Sequence, residues 1–252
     1  MTPLAGDDLR RRCLAAVSEE GARFAGLARA LDSDGGLDRR VPWVAEWTAR
    51  DLVGHLGTVH RWATAIVTAG HTGRPPAAAT EDPPAKGLPA WYAAGLHALL
   101  GALQDTPPSA PAWHMSPAAE KVVASWVRRQ AHELLVHRMD LEVTAGVPHA
   151  DVDPQLAEDG IDELLRIVVP RWAHTEPLAT AGAAVGVAAT DTGRTWSVRV
   201  DHGAITVTDE PAGAEDARVR GTAAQLLLRF WGRPAQVSVV GDAAAEALLR
   251  GR

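Results

Sequence analysis

Residues 51–62 read DLVGHLGTVHRW and residues 128–140 read RRQAHELLVHRMD. In and beyond the first stretch, Leu52, Leu56, Val59, Trp62, Ala63 and Ile66 recur at three- and four-residue spacing, the period of a helix with one apolar face. Thr48 and Asp51 stand where a capping box opens such a helix, and Gly70 stands where it ends. The second stretch falls inside a long helix expected to start at Ser116-Pro117, with proline in its first turn, and to run to about Thr144 before Gly146 and Pro148. On that helix Glu133 and His137 lie one turn apart on one face.

The same periodicity extends outward. Leu14, Val17, Ala22, Phe24, Leu27 and Leu31 predict a first helix from about Asp7 to Leu31, stopped by Asp32-Ser33-Asp34-Gly35-Gly36. Further helices are predicted over 88–103 and 154–168, and a long Pro/Gly-rich loop over 71–87. After about residue 180 the period changes to two. Short β-branched runs at 185–189, 195–200, 204–208 and 217–221 are separated by turns at Asp191-Thr-Gly-Arg and Asp201-His-Gly. A helix over 222–231, a strand over 236–240 and a helix over 242–249 follow. The expected fold is multi-domain: an antiparallel helical bundle over residues 1–175, then a small α+β domain over 176–252.

Composition removes several function classes. With 46% hydrophobic and 22% charged residues, the 252-residue chain is ordinary globular protein, neither disordered nor coiled coil. Its net charge of −6 lacks the basic surplus of a nucleic-acid binder. The single cysteine, Cys13, forbids an internal disulfide framework or a multi-thiolate zinc site. The uncharged stretch from Pro177 to Thr190 is too short to span a bilayer, so no membrane partner is expected. The first residues carry acids and an arginine run with no apolar core, so a cytoplasmic location is expected. Two lysines, no asparagine and abundant Ala, Gly, Pro and Arg fit the codon bias of a GC-rich bacterial genome.

His55, on the earlier helix, would complete a set of two histidines and one carboxylate with Glu133 and His137. Such a set leaves coordination positions open, as a catalytic zinc requires, and it also admits iron or nickel. His132 points about 100° away from Glu133 and His60 about 140° away from His55, so neither shares the ion. Asp140, three past His137, either orients a ligand or pairs with Arg129 or Arg138. By spacing alone, plainer readings outweigh the metal. A His/Glu pair at this spacing is common on solvated faces, and His55 among Leu52, Val53, Leu56 and Val59 reads as a hydrogen-bonded core histidine. Cys13 reads as a small buried residue, and Arg10–Arg12 and Arg128-Arg129 as solvated or packing faces. The nine tryptophans read as core, with Trp47, Trp62 and Trp126 flanking the candidate site.

Resemblance shifts the balance. WTARDLVGHLGTVHRWA (47–63) followed by RRQAHELLVHRMDLE (128–142) resembles the mycothiol-dependent maleylpyruvate isomerase family, part of the wider DinB-like four-helix-bundle metalloproteins. VRGTAAQLLLRFWGRP (219–234) and SVVGDAAAEALL (238–249) resemble that family's second domain. The resemblance implies zinc held by His55 of the D-L-V-x-H-L motif and by Glu133 and His137 of the H-E-x-x-x-H motif. It implies that Arg233, in Trp231-Gly-Arg-Pro234, contributes to binding a substrate carboxylate. It implies mycothiol as thiol cofactor and a small electrophilic substrate, and the GC-rich composition fits the actinobacteria that make mycothiol. Three activities stay open: cis–trans isomerisation, mycothiol S-transfer, and a non-catalytic module that binds metal or thiol.

Overall fold

The structure is a computed structural model that describes residues 6–44, 46–74, 81–175, 182–201, 204–210 and 214–250. These form two compact units, one of residues 6–114 and 120–151, the other of residues 115–119 and 152–250. The long loop expected over 71–87 is described apart from residues 75–80, which lie outside the described residues.

The first unit holds four helices: α1 (Gly6–Ser33), α2 (Ala49–Ala69), α3 (Leu88–Asp105) and α4 (Val123–Ala145). The capping box at α2 forms as its sequence requires. Thr48 Oγ1 accepts from Asp51 N at 3.3 Å, and Asp51 Oδ2 accepts from Thr48 N at 2.8 Å. The Thr48 hydroxyl, donating to Asp51 Oδ2 at 2.6 Å, and the Thr48 N–H together hold the Asp51 carboxyl below its ordinary range. At its far end α2 stops on Gly70, with φ of 65°.

The start of α4 corrects the sequence expectation. The helix begins at Val123, not at Ser116-Pro117, because Pro111 and Val122 form an antiparallel bridge. That bridge spends the local backbone groups in an extended pairing: Ala112 N donates to Lys121 O and Val123 N to Ala110 O. Ala124 N donates to Pro108 O, so loop carbonyls satisfy the first helical N–H groups in place of a capping side chain.

Contacts between the helices fix their directions. Arg10 Nη2 donates to Leu103 O at 3.0 Å while the Phe24 and Tyr92 rings lie 4.8 Å apart, so α1 and α3 are antiparallel. His55 meets Glu133 and Trp62 meets Trp126, so α2 and α4 are antiparallel too. By contrast α1 and α4 run parallel, with Cys13 beside His132 and Glu20 bonded to Arg138. So do α2 and α3, with Gly57 against Trp91 and Arg61 against Gly95. The expected antiparallel bundle therefore contains two parallel pairs, which the long 70–87 connection makes sterically feasible. At Gly57 and Gly95 the approach is close: a Cβ on Gly57 would lie 2.1 Å from the Trp91 ring, and one on Gly95 would lie 2.4 Å from Arg61 Nη1. Arg61 exploits the gap, donating to Gly57 O and Trp91 O, each at 3.0 Å, with its guanidinium over the Trp91 ring.

The bundle core is apolar, with Phe24, Leu52, Leu56, Ile66, Tyr92, Leu99, Trp126 and Leu134 all at 2% exposure or less. Charge enters it at Arg138, which is fully buried and whose guanidinium bonds Glu20 Oε2 and Glu142 Oε2, both at 2.6 Å.

The second unit holds α5 (Pro154–Glu163), a π-helical turn (Leu164–Val168), α6 (Val169–Thr175), strands β1 (Ala183–Ala189), β2 (Thr195–Asp201), β3 (Ala204–Thr208) and β4 (Ala217–Gly221), α7 (Ala223–Phe230), β5 (Ser238–Gly241) and α8 (Ala243–Ala247). The strand order is β3-β2-β1-β4-β5; β1 and β4 pair in parallel and the other neighbours antiparallel. The helical residues 154–175, expected in the bundle, instead contact α7 and β3. Polar anchors explain this. Arg166 donates to Asp162 Oδ1, Val207 O and Asp209 Oδ1, while Arg194 and the Trp196 indole also donate to Asp162 Oδ1. Pro170 has no N–H to give the turn before it, and the helix passes through that turn in π register, Val169 N donating to Leu164 O. No helix of the described residues is long and apolar enough to cross a membrane.

Candidate metal centre

The two quoted stretches meet. On α2, the Thr48 cap sets the helix phase so that His55 faces α4. On α4, Arg129, Glu133 and His137 follow at four-residue steps along one face. His55 Nε2 lies 3.2 Å from Glu133 Oε1, and His137 Nε2 lies 3.4 Å from the same oxygen. The three ligand atoms lie within 4.8 Å of one another. For a tetrahedral ion with ligands at about 2.0–2.1 Å, neighbouring ligand atoms are about 3.3 Å apart. The two spacings to Glu133 match that value, and two imidazole nitrogens with one carboxylate oxygen are donors that suit zinc.

His55 is not the buried core histidine that its apolar neighbours suggested. Its side chain keeps 32% of its exposure, against 18% for Glu133 and 12% for His137, so the set opens to solvent at the His55 side. Among the described residues, three candidate ligands converge at this set, one fewer than a closed structural zinc site uses.

The surrounding groups hold each ligand in place. Arg129 Nη2 donates to Glu133 Oε2 at 3.1 Å, leaving Oε1 for the histidines. Asp140 Oδ2 lies 2.9 Å from His137 Nδ1. An ionised carboxylate only accepts, so His137 Nδ1 carries a proton and donates it. Asp140 thus takes the orienting role, and the alternative partners are engaged elsewhere, Arg129 with Glu133 and Arg138 with Glu20 and Glu142. The other Asp140 oxygen, Oδ1, accepts from the Trp43 indole Nε1–H at 2.8 Å. Trp47 places its ring 4.8 Å from that of His55 and 6.3 Å from that of His137. Both tryptophans sit in the connection before α2, a tight loop closed by Val41 N donating to Trp47 O at 2.8 Å and Ala49 N donating to Arg39 O at 2.9 Å.

The electrostatics follow from this geometry. Burial pushes the Glu133 carboxyl up, but hydrogen bonds from His137 and His55 and the Arg129 charge together hold it well below the usual carboxylate range. Burial pushes His137 down, yet Asp140 and Glu133 outweigh it and raise the imidazole to about 9.

His132 and His60 are not members of this set. His132 lies against Cys13 on α1, as its helical phase required. His60 is fully buried, its ring 5.1 Å from Tyr92, and neither ring nitrogen finds a hydrogen-bond partner among the described residues. Burial above all depresses its pKa to about 3; the charges of Arg61 and His55 add to this and that of Glu133 opposes it. The folded state therefore binds fewer protons than the unfolded state between about pH 3 and the unperturbed 6.5. Stability contributed by neutral His60 is complete above pH 6.5 and is lost as pH falls through that window. In urea titrations, wild type should lose about 2 kcal/mol more than His60→Leu between pH 7 and pH 5; parallel losses would show that His60 is not held neutral. Arg233 belongs to the second unit, in the turn after α7, where its N–H donates to Leu228 O and its guanidinium to Trp231 O.

Sequence reasoning missed Trp43 altogether, because nothing in spacing ties residue 43 to residue 140. It missed the Arg129–Glu133 pair too, although their four-residue separation on one helix was a usable signal.

Comparison with known proteins bears on the whole chain. Residues 17–142 match the family model for the mycothiol maleylpyruvate isomerase N-terminal domain, and residues 155–248 match that for the MDMPI C-terminal domain. Among solved structures, the chain is similar to the mycothiol-dependent maleylpyruvate isomerase, with a TM-score of 0.62 at 14% identity. A histidine-to-alanine mutant of that enzyme gives a TM-score of 0.64 at 13% identity; each comparison covers 91% of this chain and 92% of the other. At such identity the likeness speaks of the fold. No curated protein matches the chain by sequence. Two consecutive domain models along most of its length, on a shared two-part fold, place this chain in the mycothiol maleylpyruvate isomerase family.

Proposed function

We propose that the protein is a zinc-dependent enzyme that uses mycothiol as its thiol and directs it at a small electrophile, as in cis–trans isomerisation of maleylpyruvate. The observation that carries this reading is the convergence of His55, Glu133 and His137, both imidazole Nε2 atoms 3.2–3.4 Å from Glu133 Oε1, with a solvent-facing side. A zinc ion bound there supplies the positive charge that keeps a thiol deprotonated at neutral pH, where a free thiol near pKa 8.5 is mostly protonated.

The chain's own residues do the rest. His55, Glu133 and His137 supply three ligand atoms. Arg129 holds the second Glu133 oxygen, which keeps the carboxylate ligating through one atom. Asp140 keeps a proton on His137 Nδ1, so the Nε2 proton is the one an incoming ion displaces. Trp47 sets an apolar ring beside the two imidazoles. Cys13 is buried on α1, so the reacting thiol comes from the cofactor. In isomerisation, the thiolate adds to the activated cis double bond to give an enolate, the new single bond rotates, and the enolate re-forms the double bond by expelling the thiolate, which returns the trans product. Arg233 is proposed to hold a substrate carboxylate bidentately.

The test is turnover of maleylpyruvate with and without mycothiol, following both substrate and free thiol. Isomerisation leaves the thiol unconsumed, while stoichiometric thiol loss would assign S-transfer instead. His55→Ala should lose at least about a hundredfold in thiol-dependent rate, the scale seen when a group stabilising developing charge is removed. Full thiol-dependent activity in that variant would overturn the mechanism. Saturable zinc binding with no thiol-dependent reaction would favour a binding module.

A further inference from the structure

The metal reading explains the three ligands but not the bond from Trp43. Asp140 is fully buried, and its two oxygens have different neighbours: Oδ1 takes the Trp43 indole N–H at 2.8 Å and Oδ2 takes the His137 Nδ1–H at 2.9 Å. For a carboxylate the two ends are chemically alike. Trp43 matters because an indole N–H is only ever a donor, so whatever stands at position 140 must turn an acceptor towards it.

We propose that Trp43 is a positioning residue for the metal centre. Its indole N–H fixes which end of the residue-140 side chain faces His137, and through that end the tautomer that His137 presents to a metal ion. The inference rests on the metal reading above.

The consequence appears on Asp140→Asn. An amide has one acceptor oxygen, and Trp43 claims it. The amide N–H group then faces His137 Nδ1, which must accept, and the imidazole proton moves to Nε2. That nitrogen is the one directed at Glu133 Oε1, so the proton occupies the lone pair an ion needs. Removing the indole donor takes away the constraint that Trp43 sets on the amide's orientation. In the double variant Trp43→Phe/Asp140→Asn, the amide oxygen can accept from His137 Nδ1–H and the ligating tautomer returns. Phenylalanine keeps most of the ring bulk, so packing changes little.

The experiment measures zinc affinity by chelator competition in wild type, Trp43→Phe, Asp140→Asn and the double variant, each checked for folding by circular dichroism. Asp140→Asn should lose about 10–100-fold in affinity, the usual scale for groups that orient a metal ligand. The double variant should recover about tenfold of that loss. A merely structural role would make the double variant weaker than either single one. Asp140→Asn binding like wild type, or a double variant no tighter than Asp140→Asn, would overturn the proposal. A metal-independent readout separates this from failure of the metal reading. In metal-free protein, the Trp43 indole proton resonance, assigned by its loss in Trp43→Phe, should shift on Asp140→Ala. If wild type takes up no zinc, the metal reading falls, and the indole shift alone decides whether Trp43 tethers residue 140. A resonance unmoved by Asp140→Ala overturns it.

Discussion

Glu133→Ala is expected to strip the protein of metal. Purified side by side, wild type should carry near one zinc per chain by elemental mass spectrometry and the variant little. Three effects add. Glu133 Oε1 is the atom on which both histidines converge, 3.2 and 3.4 Å away, so its loss removes the only anionic ligand of the set. Arg129, at 5% exposure, loses the Glu133 carboxylate, and less negative charge then stands between its guanidinium and the ion's position. His55 and His137 alone give an ion two neutral ligands. The expected loss of affinity therefore exceeds the 10–100-fold typical of removing a group that only orients a ligand. Binding should also depend on pH in a definite direction. In metal-free protein His137 is raised to about 9, chiefly by Asp140 and Glu133 against the cost of burial, so below that pH an incoming ion displaces a proton. Affinity should rise with pH towards about 9. Wild type free of metal even after incubation with excess zinc would refute the centre.

Arg138→Met should be the most destabilising single change in the bundle. Arg138 is fully buried, and its two carboxylate partners, Glu20 and Glu142, are 7% and 4% exposed. The substitution keeps an apolar stem but takes the guanidinium from buried Glu20 and from Glu142, which retains His149 and the Ala150 N–H. Breaking a buried pair from one side costs about 3–5 kcal/mol. At about 2–4 °C per kcal/mol for a unit of this size, the melting transition should fall by about 6–20 °C. Adding Glu20→Leu and Glu142→Leu should restore most of it, because uncompensated charge, not lost packing, carries the cost. A triple variant as unstable as the single one would contradict that account. The network has a second consequence. Arg138 follows His137 directly, so locking it to Glu20 on α1 fixes the rotation of α4 that turns Glu133 and His137 towards α2.

Much of this protein was written in local pattern. Helical period marked α1, α2, α3 and α5, the Thr48–Asp51 box marked the start of α2, and period two marked the strands. These features depend on residues within a few positions of one another, which a linear reading captures. The pairing of Glu133 with His137 is of the same kind, since one helical turn fixes it. Other features depended on residues distant in sequence. The Pro111–Val122 bridge moved the start of α4 from Ser116 to Val123, because an extended pairing took the backbone groups a helix would have used. Asp162, Arg166 and Arg194 tied residues 154–175 to the sheet across dozens of residues. Three groups depended most on the fold. Nothing local tied His55 to Glu133, which the fold sets 3.2 Å away; Asp140 had several cations within reach until the fold gave them other partners; Trp43 had no partner in sequence at all. Sequence determined which side chains each helix offers on each face. Only tertiary structure decided which faces meet, because helix phase is local whereas a hydrogen bond between residues 43 and 140 exists only once the chain between them has folded.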